Sequence, residues 1–365
     1  MRRNSGSFDG SHMTEDRKRY VMSGDGDHDW KKRLHLKMRR KHVSLVRRYR
    51  MCAFLAALFV MTVMTGCNDT AKETNKLVIA DQFGLAYAPI EVLKETPILT
   101  DVLKAHGLED VTVEWVRMGN TAAIREAMVA GQLDIGFVAI PPFLLGREGG
   151  MDWKIISGIS ESPVGLVAKE DGTSFETIDG SKRIILPQLG SVQHILLAMA
   201  SERTFGDATA LDAQVVAMTH PDGMTAMLSD TDSYLHFTTP PYLEQELADS
   251  QFTTLIDGET CFGGPFTFIV GICPERVYAK TELYTAFSEA LDQAIDYLNA
   301  SPDEASALLK QAYEYPEDVI DAVLEDPSMR FSSEVNGLEH FQSFMAEMGL
   351  LETVESSGGL FWDEQ

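Results

Sequence analysis

Cationic side chains are scarce over most of this 365-residue chain. Of its 31 Lys and Arg, 15 precede Cys67, as do 6 of its 55 Asp and Glu, so the remainder sets 16 basic residues against 49 acidic ones. A body so acidic repels nucleic acid, which excludes a phosphate-tracking role. Cysteine is rarer still, at four residues, and these are scattered rather than gathered into a Cys-rich catalytic cluster. Four of the nine His also precede Cys67, and His106, His194, His220, His236 and His340 show no metal spacing with one another or with cysteine. G-x-S-x-G elbows and phosphate P-loops are missing too. No catalytic residue, metal or cofactor is expected.

What is present begins with a targeting segment. Arg47-Arg-Tyr-Arg50 is followed by the apolar run Met51 to Val63, a basic n-region and an h-region too short to span a membrane. The small pair Thr65-Gly66 then precedes Cys67, an arrangement that resembles the bacterial lipobox, with Met64 where Leu is usual. Residues 1–66 therefore read as a basic extension plus lipoprotein signal peptide, Cys67 as the lipid-attachment site, and 67–75 as a polar tether. Several acyl chains on Cys67 would anchor the body to a bacterial cell membrane, facing the periplasm or exterior. Residues 1–46 exceed what a signal peptide needs, which a start codon assigned too early would explain. Cys52 leaves with the signal, and the spacing of Cys261 and Cys273 leaves open a disulfide between them or two buried thiols.

The body is organised around the stretch Gly131 to Phe143. Ahead of it, Asn120 to Ala130 reads as a helix capped by Asn120 or Thr121, and Gly131 closes it where positive φ is usual. Ile135 to Ile140 is a short apolar run of the kind buried in a parallel sheet, and Pro141-Pro142 ends the strand. The pattern recurs near residue 230: a helix through Leu228, a turn through Asp232, a strand over Ser233 to Thr238, then Thr239-Pro-Pro-Tyr242. Two similar lobes follow. Further strands are predicted at 76–80, 111–116, 153–157, 164–168, 183–186, 215–218 and 266–272, with a crossing between lobes at 158–163 and four helices from Leu283 onward.

Three loops hand a strand to a helix amino terminus, where free backbone N–H groups collect: Gly84 to Tyr87, Gly119 to Thr121, and Gly190 to Gln193. Glycine lets a ligand approach the backbone, while Asn120, Thr121, Ser191 and Gln193 offer side-chain donors. Each loop alone reads more readily as a helix cap than as a site, but three at strand carboxyl ends point to a shared cleft. His194, in the first turn of the third helix, faces either that cleft or the surface.

In order along the chain, Tyr87-Ala-Pro89, the A-x-x-x-G-x-L-D run from Ala127 to Asp134, Ile178-Asp-Gly-Ser-Lys182, Gly190-Ser191 and Pro240-Pro241 resemble the substrate-binding lipoproteins of ABC importers of the nitrate/sulfonate/taurine/thiamine-precursor type. The resemblance covers about Lys76 to Leu351, and Ser229-Asp-Thr-Asp-Ser233 departs from the usual G-x-x-D-A. It implies an α/β, two-lobed periplasmic-binding-protein-like fold of type II, each lobe a mostly parallel sheet flanked by helices, with a helical C-terminal segment. Lobe 1 would comprise 76–162 plus 265–352, and lobe 2 163–264. It further implies an extracytoplasmic monomer that captures a small-molecule ligand and delivers it to an ABC permease, ATP hydrolysis belonging to a separate ATPase subunit. The ligand-binding positions it suggests are Phe83, Gly84, Ala86, Tyr87, Gly119, Asn120, Thr121, Ile140, Pro141, Ser162, Gly190, Ser191, Gln193, Thr239, Pro240 and Tyr242. The alternative is an enzyme on the same fold acting in thiamine-precursor or menaquinone synthesis. No Lys or Arg falls within the three loops and only Arg117 adjoins one, which disfavours a multiply charged anion. A monoanion held by helix ends fits, as does a neutral or cationic heterocycle stacked on Phe83, Tyr87, Phe143 or Tyr242 with Asp81 or Glu161 nearby.

Overall fold

The computed structural model describes residues 75–229 and 233–363. The expected signal, Cys67, the tether up to residue 74 and Asp232 lie outside the described residues. The strands are β1 (Lys76–Asp81), β2 (Thr112–Arg117), β3 (Ile135–Ala139), β4 (Lys154–Ser160), β5 (Gly165–Lys169), β6 (Arg183–Leu186), β7 (Val215–Ala217), β8 (Tyr234–Thr238), β9 (Phe252–Asp257) and β10 (Ile269–Cys273). They form two five-stranded sheets, ordered β2-β1-β3-β10-β4 and β7-β6-β8-β5-β9. In the first, β1 runs parallel to β2 and β3, while β10 is antiparallel to β3 and β4. In the second, β6 is parallel to β7 and β8, while β5 is antiparallel to β8 and β9. The two sheets thus share one topology, as twin lobes would, but it is mixed rather than mostly parallel: strands β10 and β5 insert antiparallel between their neighbours.

The helices are α1 (Ala88–Glu95), α2 (Ile98–Ala105), α3 (Thr121–Val129), α4 (Ile140–Glu148), α5 (Val192–Phe205), α6 (His220–Ser229), α7 (Tyr242–Leu247), α8 (Gly258–Phe262), α9 (Glu275–Tyr278), α10 (Thr281–Ala300), α11 (Pro302–Ala312), α12 (Glu317–Glu325), α13 (Leu338–Glu347) and α14 (Ser357–Leu360). Every residue of β3 and β10 is buried, the signature of central strands covered on both faces. The long helix α10 turns Leu283, Phe287, Leu291, Ala294 and Leu298 inward at three- and four-residue spacing and packs on α1 and α2.

Two further expectations need correction, and one open alternative is decided. Pro141 and Pro142 do not stop β3 into a loop: they occupy the first turn of α4, where a missing N–H costs nothing. β4 continues through Ser160, so Gly158 to Ser160 belong to the sheet and the crossing shrinks to 161–164. The two remaining cysteines are free and buried, Cys261 on α8 beside α5 and Cys273 at the end of β10 in the other sheet. Burial pushes each thiol up to about 12, which keeps both protonated.

Both crossings between the sheets are tied to one C-terminal segment. The backbones of Glu161 and Arg330 exchange hydrogen bonds of 2.8 and 3.2 Å, and the Glu161 carboxylate accepts from Arg330 at 3.1 Å and from Asn336 at 3.2 Å. Asn336 in turn accepts from Thr267 N at 3.0 Å and donates its own N–H to Thr267 Oγ1 at 2.8 Å, on the return crossing.

The tightest packing lies under α4. A Cβ at Gly146 would stand 1.9 Å from the Trp153 ring, which is fully buried and donates its Nε1–H to Phe143 O at 3.3 Å. Gly146→Ala is therefore expected to cost about 3 kcal/mol through overpacking, despite the better helix propensity of alanine. Urea denaturation measures it; an unchanged midpoint would mean that the ring moves aside freely.

Candidate ligand-binding cleft

A cleft opens where the carboxyl ends of strands from both sheets face each other, the ordinary ligand position in open α/β sheets. One side is built by Gln82, Phe83 and Tyr87 after β1, Gly119 to Thr121 after β2, Ala139 and Pro142 around the start of α4, and Phe268 and Ile269 at β10. The other comes from Pro187, Gln188 and Ser191 to Gln193 between β6 and α5, Thr219 and His220 after β7, and Thr239 after β8. The void is about 60 Å³. Since a water needs about 10–15 Å³ by this measure, it has room for a solute of a few heavy atoms.

Two helix amino termini converge here. Asn120 caps α3 by accepting Ala123 N–H on Oδ1 at 3.0 Å, and Ser191 caps α5 by accepting His194 N–H at 3.3 Å. Capping uses the acceptor of each side chain and leaves the Asn120 Nδ2 hydrogens and the Ser191 hydroxyl proton as donors. Each helix end adds a partial positive charge. Among the described residues, no Lys, Arg, Asp or Glu lines the cleft, and His220 is the one imidazole that does.

The neighbouring charges are spent elsewhere. Buried Asp81 accepts from Lys94 and Arg117, both at 2.8 Å, and Glu91 shares the same two cations. Arg117 also sits over the Phe83 ring at 5.9 Å. Glu161 is held by Arg330 and Asn336 at the crossing. Neither Asp81 nor Glu161 lines the cleft, so among the described residues a cationic ligand finds no carboxylate in the wall.

Of the positions suggested from sequence, Phe83, Tyr87, Gly119, Asn120, Thr121, Ser191, Gln193 and Thr239 line the cleft. The rest stand behind it. Gly84, at φ 117°, accepts the Tyr313 hydroxyl at 3.2 Å, and a Cβ there would meet Pro240 O at 2.9 Å. Ala86, Ile140 and Pro141 are buried under the wall. Ser162 lies on the crossing and bonds Pro163 O at 3.4 Å. Gly190, at φ 77°, lets α5 approach Leu145 of α4; a Cβ would come within 2.5 Å of it. The carbonyl of Pro240 accepts Leu85 N–H at 3.4 Å. Tyr242 stacks on His220 at 5.8 Å and shares a 3.2 Å hydrogen bond with the Tyr315 hydroxyl. Phe143 is fully buried core beside Trp153. His194 is structural: its Nδ1 accepts Gly190 N–H at 3.1 Å and its Nε2 faces Asp212 at 3.2 Å.

Wall residues that sequence reading missed include Gln82, Gln188, Thr219, His220 and Phe268. Thr219-His220 follows β7 just as Gly119-Asn120 follows β2, so the same strand-to-helix rule applied without requiring glycine finds it.

No protein family and no curated protein matches the chain in sequence. Solved structures do match in shape. The alkanesulfonate-binding protein SsuA from Xanthomonas axonopodis pv. citri bound to MOPS superposes with a TM-score of 0.65 at 17% identity, covering 80% of this chain and 99% of that one. This is the periplasmic binding protein fold. Within that fold, the periplasmic aliphatic sulphonate binding protein SsuA from Escherichia coli gives 0.63 at 18% identity, covering 80% and 93%. The periplasmic nitrate-binding protein NrtA from Synechocystis PCC 6803 gives 0.59 at 12%, covering 79% and 84%. A periplasmic binding protein fold accounts for both sheets, their crossings and the position of the cleft between them.

Proposed function

We propose that this protein captures a small monoanion between two lobes and delivers it to the permease of an ABC importer. The observation that carries the reading is the convergence of two capped helix amino termini, Asn120 on α3 and Ser191 on α5, on a cleft with no Lys, Arg, Asp or Glu in its lining among the described residues. Helix ends and neutral donors suit a single diffuse negative charge. A dianion would call for a guanidinium fork, and the nearby Arg117 is committed to Asp81 and Glu91. The fold relatives named as sulfonate- and nitrate-binding proteins agree with this ligand class.

In this reading the lobes are 76–162 plus 265–352 and 163–264, closing about the crossings that Arg330 and Asn336 pin. A solute touching both walls stabilises the closed form by differential contact, and that form docks on the permease. The body acts as a monomer held to the membrane by lipid on Cys67. A thermal-shift screen across nitrate, methanesulfonate, pyrimidines, flavins and amines tests the ligand class: stabilisation by the anions alone is expected, and stabilisation by amines alone would overturn it. Cys67→Ser is expected to move the protein from the membrane to the soluble fraction and to abolish palmitate labelling. Persistent labelling of that variant would remove the anchor assignment.

A further inference from the structure

From Gln193 and His220 in the cleft wall a chain of polar side chains runs inward to His236 and Glu246, which the anion-capture reading leaves unused. Gln193 Nε2 lies 3.2 Å from His220 Nε2, His220 Nδ1 lies 3.2 Å from His236 Nε2, and His236 Nδ1 lies 2.6 Å from Glu246 Oε1. His236 and Glu246 have no exposure, and Gln193 has 2%. Tyr242 stacks on His220, and Gly223 of α6 presses against His236, where a Cβ would stand 2.7 Å from Nε2.

Two arrangements satisfy every link. In one, Glu246 is a carboxylate, both imidazoles carry hydrogen on Nδ1 and donate toward it, and Gln193 donates to His220 and shows its carbonyl to the cleft. In the other, a proton entering on His220 Nε2 sends the Nδ1 proton of His220 to His236 Nε2, and the Nδ1 proton of His236 to Glu246. Gln193 then makes a half-turn, accepts from His220 on Oε1, and shows its amide nitrogen to the cleft. The two states differ by one proton, taken from water.

We infer that Gln193, His220, His236 and Glu246 form a single relay that, with one proton held on Glu246, turns the Gln193 amide nitrogen into the cleft and selects an anionic, acceptor-only solute. The protonated state is favoured by geometry. Glu246 Oε2 is buried with no partner among the described residues, and a carboxylate there would keep half its charge unsolvated. Burial raises Glu246 to about 9 and lowers His236 to about 3, and it is the sole cause at both; at His220 burial and then His236 depress the imidazole. No charged neighbour contributes at Glu246 or His236, neither Glu244 on α7 itself, which burial pushes up to about 7, nor Glu317, Asp318 and Glu325 of α12. Asp222 of α6 accepts from Thr219, Asp257 of β9 from Thr260, and Asp321 of α12 from Lys310 and Ser306. Asp326 after α12 acts on Glu244, and Lys169 ends β5.

The inference rests on anion capture for its ligand, but the relay is testable without one. Imidazole ¹⁵N spectra of the free protein are expected to show His220 and His236 both as Nε2–H tautomers at neutral pH. They should switch together to Nδ1–H near pH 9, and Glu246→Gln should abolish the switch. Nδ1–H tautomers at neutral pH, or one imidazole titrating without the other, would overturn the relay. Methanesulfonate affinity should be flat below the switch and fall about tenfold per pH unit above it, because each further unit removes the binding-competent proton from nine-tenths of the molecules. A relay that switches in a protein that binds no methanesulfonate would leave the relay standing and sink the anion reading. Affinity unchanged through the switch would sink the relay's role in selection.

Discussion

The double variant Asn120→Ala/Ser191→Ala is expected to bind nitrate or methanesulfonate at least about 100-fold more weakly than the native chain. Each side chain keeps a donor hydrogen free after capping its helix, and a hydrogen bond to a charged partner contributes about 1.5–3 kcal/mol, so losing two removes about 3 kcal/mol or more. The fold should survive. Loss of each cap costs about 1 kcal/mol, spread over two helices in different sheets that are otherwise held by packing. Calorimetry on the variant and both single substitutions, with thermal melts alongside, separates the two effects. Unchanged affinity in the double variant would leave both residues as caps and nothing more.

Arg117→Met is expected to destabilise the protein by about 3 kcal/mol, the low end for a broken buried pair, because one edge of the guanidinium reaches water. Asp81 and Arg117 end adjacent parallel strands in register, so the ion pair forms as soon as β1 and β2 align. Asp81 is 1% and Glu91 5% exposed, and without Arg117 Lys94 alone faces two buried carboxylates. Arg117→Lys should recover part of the loss, since it keeps the charge but not the planar fork that reaches both acids. Urea denaturation of the three proteins gives the ranking native, Lys, Met; an Arg117→Met protein of native stability would show that the acids are relieved by water.

Much of this architecture is legible from residue pattern. The apolar run after Gly131, the capping Asn120 and the Gly190-Ser191 turn each declare a strand end or a helix start through local chemistry. The Pro pair misled because proline is equally at home after a strand and in the first turn of a helix. β9 escaped because Phe252-Thr-Thr-Leu-Ile-Asp257 is a half-buried edge strand with weak alternation. α2 escaped because it follows α1 after only two residues, so one long helical region hides a break at Pro97. The relay could not be read at all. His220, His236 and Glu246 are spaced at 16 and 10 residues, which no helix or strand period brings together, and they meet only because α6 and α7 pack on each other beside β8.

The absence of formal charge from the cleft wall, set in so acidic a body, has a kinetic consequence. Most anion traps draw their cargo in by positive potential, and added salt slows them. Here the long-range field pushes an anion away, and recognition begins only once the solute is inside the last few ångströms. Raising ionic strength should therefore speed association by screening that repulsion, while dissociation, governed by dipoles and neutral donors at close range, stays almost constant.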